Sequence, residues 1–394
     1  MSRLCTIRDV DWNGKTALVR VDFNVPLRRE DGRVADDTRI SAALPTLEYL
    51  RQRGARVVLL SHLGRPDGER NPKYTLRPVA DRLGELLGTP VPFGEDCIGQ
   101  PAAAAVRAIG PGEVVLLENV RFHPEEEKND PRFAADLAKL ADTFVNDAFG
   151  TAHRAHASTE GVAHLLPAVA GLLMEKEIVS IGGALDNPRR PFVAIVGGAK
   201  VSSKLAVLNN LIDRVDRLLI GGGMANTFLR ARGLEVGRSL LEADLVPTAE
   251  ELLSDSGKIL LPTDVVVTSD LKSTDSPTRT VKSDAVGSDD IIADIGPASL
   301  SAFEAEIARA GTVLWNGPMG IFEDPRFARG TLEIAHALAK SSATTVVGGG
   351  ESVQAVEQAG VADELTHVST GGGASLEFIE GKTLPGVAAL LHNC

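Results

Sequence analysis

The chain has 394 residues, 43% of them hydrophobic and 24% charged, with a net charge of −12. This length exceeds one ordinary core and predicts two domains of roughly 150–200 residues. The acidic balance excludes a general basic field for nucleic acid or anionic lipid, so any anion site must be local. The N-terminal "MSRLCTIRDVDWNGK" lacks an apolar signal core, and no apolar run approaches the ~18 residues of a membrane span. Three widely spaced cysteines, Cys5, Cys97 and Cys394, offer no CxxC pair; no disulfide framework is expected, and a reducing, cytoplasmic setting fits.

In chain order, "KTALVRVDFNV" predicts a strand that leaves into a loop. "ISAALPTLEYLRQRG" predicts a helix with Pro45 early in it or kinking it. "ARVVLL" (strand), "TLRPVADRLGELLG" (helix), "GEVVLL" (strand), "DPRFAADLAKLAD" (helix) and "TFVND" (strand) follow. The pattern pauses at "GVAHLLPAVAGLLMEKEIVSIGGAL", which predicts a helical connector, and restarts after "DNPRRP" with "FVAIV", "SSKLAVLNNLIDR", "RLLIG" and "NTFLRARG". "TVLWN", "TTVVGG" and "LTHVS" are later strands, with helices between them. The segment 269–290 is polar and predicts an exposed excursion. This alternation predicts an α/β fold: two doubly wound parallel-sheet, Rossmann-like domains joined by a helical hinge. The expected division is residues 1–168, a linker at 169–190, and residues 191–379.

Ligands of open parallel sheets bind beyond the carboxyl ends of the strands. In the first half those ends read Asp22-Phe23-Asn24, "SHLGRP", "ENVRFHPEE" and "NDAFGTAHRAH", with Arg39 near the start of the first helix. Arg39, Arg65, Arg121 and Arg154 therefore gather near one edge, with His62, His123 and His153. One arginine in a loop is ordinarily a solvated residue. Four at successive strand ends predict a site for a small polyanion, because guanidinium forks pair bidentately with carboxylate and phosphate. His153 and His156 also have a spacing that could serve a metal, but Arg154 between them would repel a cation.

The second half ends its strands in glycine: "GGAKVSSK", "GGGMANTF", "WNGPMGIFE", "GGGESV" and "STGGGAS". A single Gly-Gly pair is most often a tight turn. Several in one domain predict a nucleotide, since glycine lets backbone N–H groups approach phosphate closely. Lys200 and Lys204 add point charges one helical turn apart, and Glu323 and Glu351 could meet a ribose hydroxyl or Mg²⁺. "NGKT" at 13–16 imitates the end of a P-loop, but Asp9 stands where its first glycine belongs and a strand follows.

With "RVDFNVPL", "SHLGRP", "ENVRFHPEEE", "NDAFGTAHRAHAS", "GGAKVSSKL", "GGGMANTFL", "WNGPMGIFE", "GGGES" and "STGGGASLE" in this order and spacing, the chain resembles the phosphoglycerate kinase family over essentially its whole length. The resemblance implies reversible phosphoryl transfer between ATP and 3-phosphoglycerate with Mg²⁺, in glycolysis and gluconeogenesis, after hinge closure of a monomer. It implies that Asp22, Phe23, Asn24, Arg39, His62, Leu63, Gly64, Arg65, Arg121 and Arg154 bind the acid. It assigns Gly198, Lys200, Lys204, Gly222, Pro318, Glu323, Gly349, Gly350, Glu351 and Ser352 to ATP or ADP, with Glu351 toward the metal. Arg39, Lys200, Gly372 and Gly373 would serve the transferring group. By the same likeness, Arg154 holds the substrate phosphate, His153 and His156 support its loop, and a tail at 380–394 returns to the first domain. The departure is Glu351, where the family pattern usually carries aspartate. Two rival readings are an acetate-type kinase, which would not need four arginines, and a non-catalytic nucleotide-binding protein, against which Lys200 and Arg39 count.

Overall fold

The computed structural model describes residues 4–391. The chain divides into two compact units, one of residues 1–178 with 383–394 and the other of residues 179–382. Positions 392–394 of the predicted tail lie outside the described residues.

The first unit is built on β1 (Thr16–Arg20), β2 (Arg56–Leu60), β3 (Phe93–Gly94), β4 (Val114–Leu117), β5 (Thr143–Asn146) and β6 (Ala168–Ala170). They form one parallel sheet in the order β3-β4-β2-β1-β5-β6. β1, β4 and β5 are buried along their whole length, as expected of strands covered on both faces. The covering helices are α1 (Thr38–Gln52), α2 (Arg77–Leu87), α3 (Gly99–Ala108) and α4 (Pro131–Ala138). Pro45 sits inside α1 and the helix runs through it. The buried stripe Ile40, Ala43, Leu47, Leu50 holds the helix on the sheet against the ~3 kcal/mol cost of an internal proline.

α5 (Leu172–Asp186) follows, and the division between the units falls inside it. The predicted helical connector is thus only partly helical. Its "AVA" is β6, paired with β5, because three small buried residues fit a sheet edge next to the core.

The second unit has β7 (Phe192–Val196), β8 (Arg217–Ile220), β9 (Ile259–Leu260), β10 (Asp264–Thr268), β11 (Thr278–Lys282), β12 (Ile291–Ile295), β13 (Thr312–Asn316), β14 (Thr344–Val347) and β15 (His367–Val368). A second parallel sheet runs β15-β14-β13-β7-β8-β9, and β11-β10-β12 form a small antiparallel sheet. The segment 269–290, read as an exposed excursion, contributes β11 to this small sheet. β11 is a largely exposed edge strand whose Thr, Arg and Lys side chains hide its strand character in the sequence. The helices are α6 (Leu205–Ile212), α7 (Met224–Ala231), α8 (Val246–Ser256), α9 (Pro297–Arg309), α10 (Arg329–Lys340), α11 (Gly350–Gln358) and α12 (Gly373–Ile379). α6 begins only at Leu205, so Lys200 and Lys204 do not lie one turn apart on a helix as predicted: a turn separates them.

The last helix, α13 (Pro385–Leu391), belongs to the first unit. There the Gly386 amide donates to Ala152 O at 2.9 Å, and Asn146 Nδ2 donates to Gly386 O at 3.5 Å. Cys97 is a buried free thiol. Cys5 is disulfide-bonded, which a reading that discounted disulfides did not anticipate. Among the described residues, no helix is long and apolar enough to cross a membrane.

Candidate functional site

In the first unit the loops after β1, β2, β4 and β5 leave the same sheet edge because the strands are parallel. They bring together much of the predicted acid-binding set. Arg39 Nη1 donates to Asp22 Oδ2 at 2.9 Å and to Asn24 O at 3.4 Å. Asn24 Oδ1 accepts from Gly64 N at 2.9 Å, and Gly64 O accepts from Arg121 Nη1 at 3.0 Å. Asp22 and Asn24 thereby tie the β1 and β2 loops together, and Arg121 ties in the β4 loop. Gly64 has φ 62°, and a Cβ there would meet the Tyr74 ring at 2.4 Å, so the position requires glycine. Phe23 is buried and Leu63 nearly so; both serve as packing under the loop.

His62 is buried in the middle of this arrangement. Burial holds its ring well below the usual imidazole pKa, reinforced by the guanidinium charges of Arg20, Arg121, Arg39 and Arg154. Three of the four predicted arginines therefore converge on one neutral histidine. Arg65, the fourth, is exposed. Arg121 Nε forms an ion pair with Glu127 Oε1 at 3.2 Å but outside hydrogen-bond geometry, leaving a buried donor without a hydrogen-bond partner. Such a donor, in a cluster of like charges, is suited to an anion.

The other histidines of these loops separate in role. His153 Nε2 accepts from Arg154 Nε at 3.2 Å. His156 is buried beside Glu126, 3.9 Å away, and desolvation drops its pKa to about 4. His123, predicted near the arginines, instead bonds Asp96 Oδ1 at 2.7 Å and stacks on Phe133 with ring centroids 5.2 Å apart. Asp96, Cys97 and His123 bring ligand-type atoms within 4.8 Å of one another, but the Asp96 oxygen already accepts from the Cys97 amide, holding the turn before α3.

The second unit contains a cavity of about 290 Å³ lined by predicted residues Gly198, Gly222, Pro318, Glu323 and Glu351, with Leu240, Val265, Met319 and Ile321 supplying apolar wall. Its floor is backbone against backbone. Gly222 has φ 70°, and a Cβ there would meet Gly198 O at 2.6 Å and Pro318 O at 2.8 Å. Around the end of β13, Asn316 organises the loops: its Nδ2 donates to Gly348 O at 2.7 Å, and its Oδ1 accepts from Lys204 Nζ at 2.5 Å. Lys204 has a lowered pKa, mainly through desolvation, and Glu351 acts against that shift. Lys200 is exposed. Glu351 and Glu323 are exposed as well, Glu351 in the first turn of α11 after Gly349 and Gly350. Ser352 is different. It is fully buried, and its hydroxyl accepts from Gly317 N at 2.6 Å, so it holds the β13 loop in place. Gly372, with φ 50°, precedes Gly373 at the start of α12.

The family model described as phosphoglycerate kinase matches residues 7–382. The chain belongs to the phosphoglycerate kinase family. It is 60% identical over 393 residues to phosphoglycerate kinase of Chloroflexus aggregans, with 98% of each chain covered. It is 58% identical to that of Pelotomaculum thermopropionicum, with 98% of this chain and 99% of the relative covered. Among solved structures, phosphoglycerate kinase from Coxiella burnetii superposes with a TM-score of 0.92 at 41% identity, covering 99% of both chains. That from Pyrococcus horikoshii gives 0.83 at 36% identity, covering 98% of both.

Against this family background, sequence reasoning passed over Arg20, Glu126 and Ser158, which lie buried beneath the arginine cluster. The available signal was a charged residue closing the otherwise apolar strand "TALVR", with nowhere to face but the core.

Proposed function

We infer that the chain is a phosphotransferase acting on a carboxyl group: MgATP + 3-phosphoglycerate ⇌ MgADP + 1,3-bisphosphoglycerate, in glycolysis and gluconeogenesis. The observation that carries this reading is the set of guanidinium groups gathered around neutral His62 in a protein of net charge −12. Membership of the family supports it. The first unit binds the acid through Asp22, Phe23, Asn24, Arg39, His62, Leu63, Gly64, Arg65, Arg121 and Arg154, with Arg154 on the phosphate. The second binds ATP or ADP through Gly198, Lys204, Gly222, Pro318, Gly349 and Gly350, with Glu323 toward the ribose and Ser352 supporting the loop.

The chemistry requires little of the protein in covalent terms. A carboxylate oxygen of 3-phosphoglycerate attacks the γ-phosphorus in line, the bond from that phosphorus to the β,γ-bridging oxygen breaks, and ADP leaves with the electron pair. The nucleophile is already ionised at neutral pH, so no general base is needed. Arg39 and Lys200 stabilise charge on the equatorial oxygens, and the N–H groups of Gly372 and Gly373 add donors at a helix start. Glu351 is an exposed carboxylate on the cavity wall, a hard oxygen ligand suited to Mg²⁺, which otherwise takes phosphate oxygens and water. When bound there, Mg²⁺ neutralises charge on the nucleotide phosphates. Transfer takes place after the acid and nucleotide units close about α5, which excludes water and limits hydrolysis. The enzyme works as a cytoplasmic monomer.

Steady-state assay with 3-phosphoglycerate and MgATP, coupled to consumption of 1,3-bisphosphoglycerate, tests the reaction; no turnover above a Lys200→Ala control would refute it. Small-angle scattering tests closure. The radius of gyration should fall more with both substrates than with either alone, and an unchanged ternary value refutes the closing step.

A further inference from the structure

Arg20 closes β1 with its guanidinium in the core, 1% exposed. Each of its three nitrogens makes a local contact. Nε donates to Ser158 Oγ at 2.8 Å, Nη1 donates to Val21 O, and Nη2 lies 3.2 Å from His62 Nδ1. Ser158 in turn donates its hydroxyl to Glu126 Oε1 at 2.6 Å, while its backbone N–H donates to Oε2 at 2.9 Å. Glu126 is fully buried. The row therefore runs Glu126, Ser158, Arg20, His62, and joins the end of β1 to the loops that follow β4, β5 and β2.

The row has a fixed direction. The buried carboxylate of Glu126 accepts. Ser158 has one hydroxyl proton and gives it to Glu126, so its oxygen is free to accept from Arg20. A guanidinium has five donors and no acceptor. Where Arg20 meets His62, the ring nitrogen can only accept, so Nδ1 carries no proton. Asp22 Oδ1 lies 3.9 Å from the same nitrogen, too far to hold a competing proton there. A neutral imidazole carries one N–H, which must then be on Nε2. Among the described residues Nε2 makes no protein hydrogen bond, so it is available to a ligand.

We propose that Arg20 is a positioning residue of the acid site: anchored through Ser158 to Glu126, it locks His62 as the Nε2–H tautomer and so presents a neutral donor to an oxygen of the bound phosphoglycerate. This rests on the first unit being the acid site. The lock supplies what an imidazolium could not. The groups that face His62 are Arg20 on β1, Asp22 just after it, Arg39 on α1, Arg121 after β4 and Arg154 after β5. Four of these are cations, so a further positive charge on the ring is disfavoured, and burial disfavours it more. The wrong tautomer would turn an Nε2 lone pair toward an anionic oxygen and leave Arg20 facing an N–H. The second-layer contact thus decides the sign of a first-layer one, as second-layer partners of histidine ligands do elsewhere.

The experiment is long-range ¹H–¹⁵N correlation NMR of the full-length protein labelled in histidine, with His62→Gln to assign the ring, alongside steady-state kinetics. Without substrate, wild-type His62 should show a pyrrole-type Nε2 and a pyridine-type Nδ1 at pH 7. Arg20→Gln, whose amide can accept as well as donate, should populate the other tautomer and raise KM for 3-phosphoglycerate roughly tenfold, the scale of one hydrogen bond to a charged group, with KM for MgATP within about twofold. Arg20→Lys, again a pure donor, should keep the wild-type ring signature and restore most of the affinity. Ser158→Ala should give an intermediate mixture. A protonated Nδ1 in the wild type overturns the proposal, and so does an Arg20→Gln protein with a wild-type tautomer, whatever its KM. Should Arg20→Gln fail to fold, the wild-type ring spectrum and Ser158→Ala still decide. Since the ring spectrum needs no substrate, a protein with the predicted tautomer but no turnover of 3-phosphoglycerate would refute the proposed function and leave the lock standing.

Discussion

On the reading proposed above, the two units, each built on a parallel sheet, hold an anion in opposite ways, the first with side chains. Guanidinium groups project from α1 and from the loops after β2, β4 and β5, beside a buried polar row, Glu126–Ser158–Arg20–His62. The second does it with backbone. Its strand ends are glycines packed carbonyl to Cα, with an apolar cavity and few charges. Side-chain charge gives strength. Bare backbone gives close approach but tolerates no added atom. The first unit should therefore fail when a charge is removed, the second when a methyl group is added.

The largest expected effect is on the charge side. Arg39→Ala should lower kcat by roughly 10²-fold or more, the scale of losing one preorganised donor to the transferring group, while Arg121→Ala should act mainly on KM for 3-phosphoglycerate. Steady-state kinetics of both variants check this; an Arg39→Ala enzyme with intact kcat and only a raised KM would reverse the division of roles.

The backbone side is tested by Gly222→Ala. The position has φ 70°, and the new Cβ would sit 2.6 Å from a carbonyl oxygen. We expect a loss of at least ~2 kcal/mol in stability and a marked loss of ATP affinity. Calorimetric titration should find binding of 3-phosphoglycerate nearly unchanged. Equal damage to both ligands would break the comparison.

Glu351 is the exception that sharpens the contrast, a side chain acting among glycines. Glu351→Ala should weaken MgATP binding by about tenfold, with 3-phosphoglycerate affinity unchanged, and Glu351→Asp should keep most activity. Unaltered Mg²⁺ dependence in Glu351→Ala would reduce the residue to a complement of the α11 dipole, worth ~0.3–1 kcal/mol of stability.

The smallest effect concerns pH. His156 titrates near 4 in the folded protein because burial disfavours its charged form. Between that value and its ordinary 6.5 the unfolded chain binds the extra proton, so the stability of keeping the ring neutral is complete above about 6.5 and is lost as pH falls toward 4. Asp294, on the cavity wall of the second unit, is raised by burial to about 7, so there the folded form holds the extra proton and stability falls as pH rises from 3.8 toward 7. Hydrogen exchange at pH 5 and 7 should find the 151–159 loop less protected at pH 5 by on the order of 1 kcal/mol, and His156→Gln should reduce the difference. A loop equally protected at both pH values would remove His156 from the account.

Much of this organisation was legible in the sequence, and the reasons differ by element. Strands such as "TFVND" and "FVAIV" announce themselves as short apolar runs because both faces are buried. The arginines were legible because parallel strands send every carboxyl end to one edge, so sequence order translates directly into spatial grouping. β11 was hidden because an exposed edge strand carries the composition of a loop. The interval between Lys200 and Lys204 looked helical because local spacing says nothing about where a helix begins. Of the Arg20 row only its start was legible, a charged residue closing an apolar strand. Its links span 138 and 42 positions in sequence, and a lone arginine at a strand end looks the same whether it meets water or a serine. His123 misled for the same reason: its partner is Asp96, 27 positions away.

The return of α13 to the first unit has a temporal side. Unit 2 is one uninterrupted stretch, residues 179–382, whereas unit 1 needs a segment made after all of it. A chain growing from its N-terminus can complete the glycine-lined unit first, since domains generally fold as they emerge. The Ala152–Gly386 contact, two positions from Arg154, is available only once the final stretch is synthesised. Two late residues, Leu384 and Leu390, are buried there. A chain ending at residue 382 should therefore protect the second unit from protease while the loop that carries Arg154 stays open to cleavage, so that the growing polypeptide completes its second unit before its first.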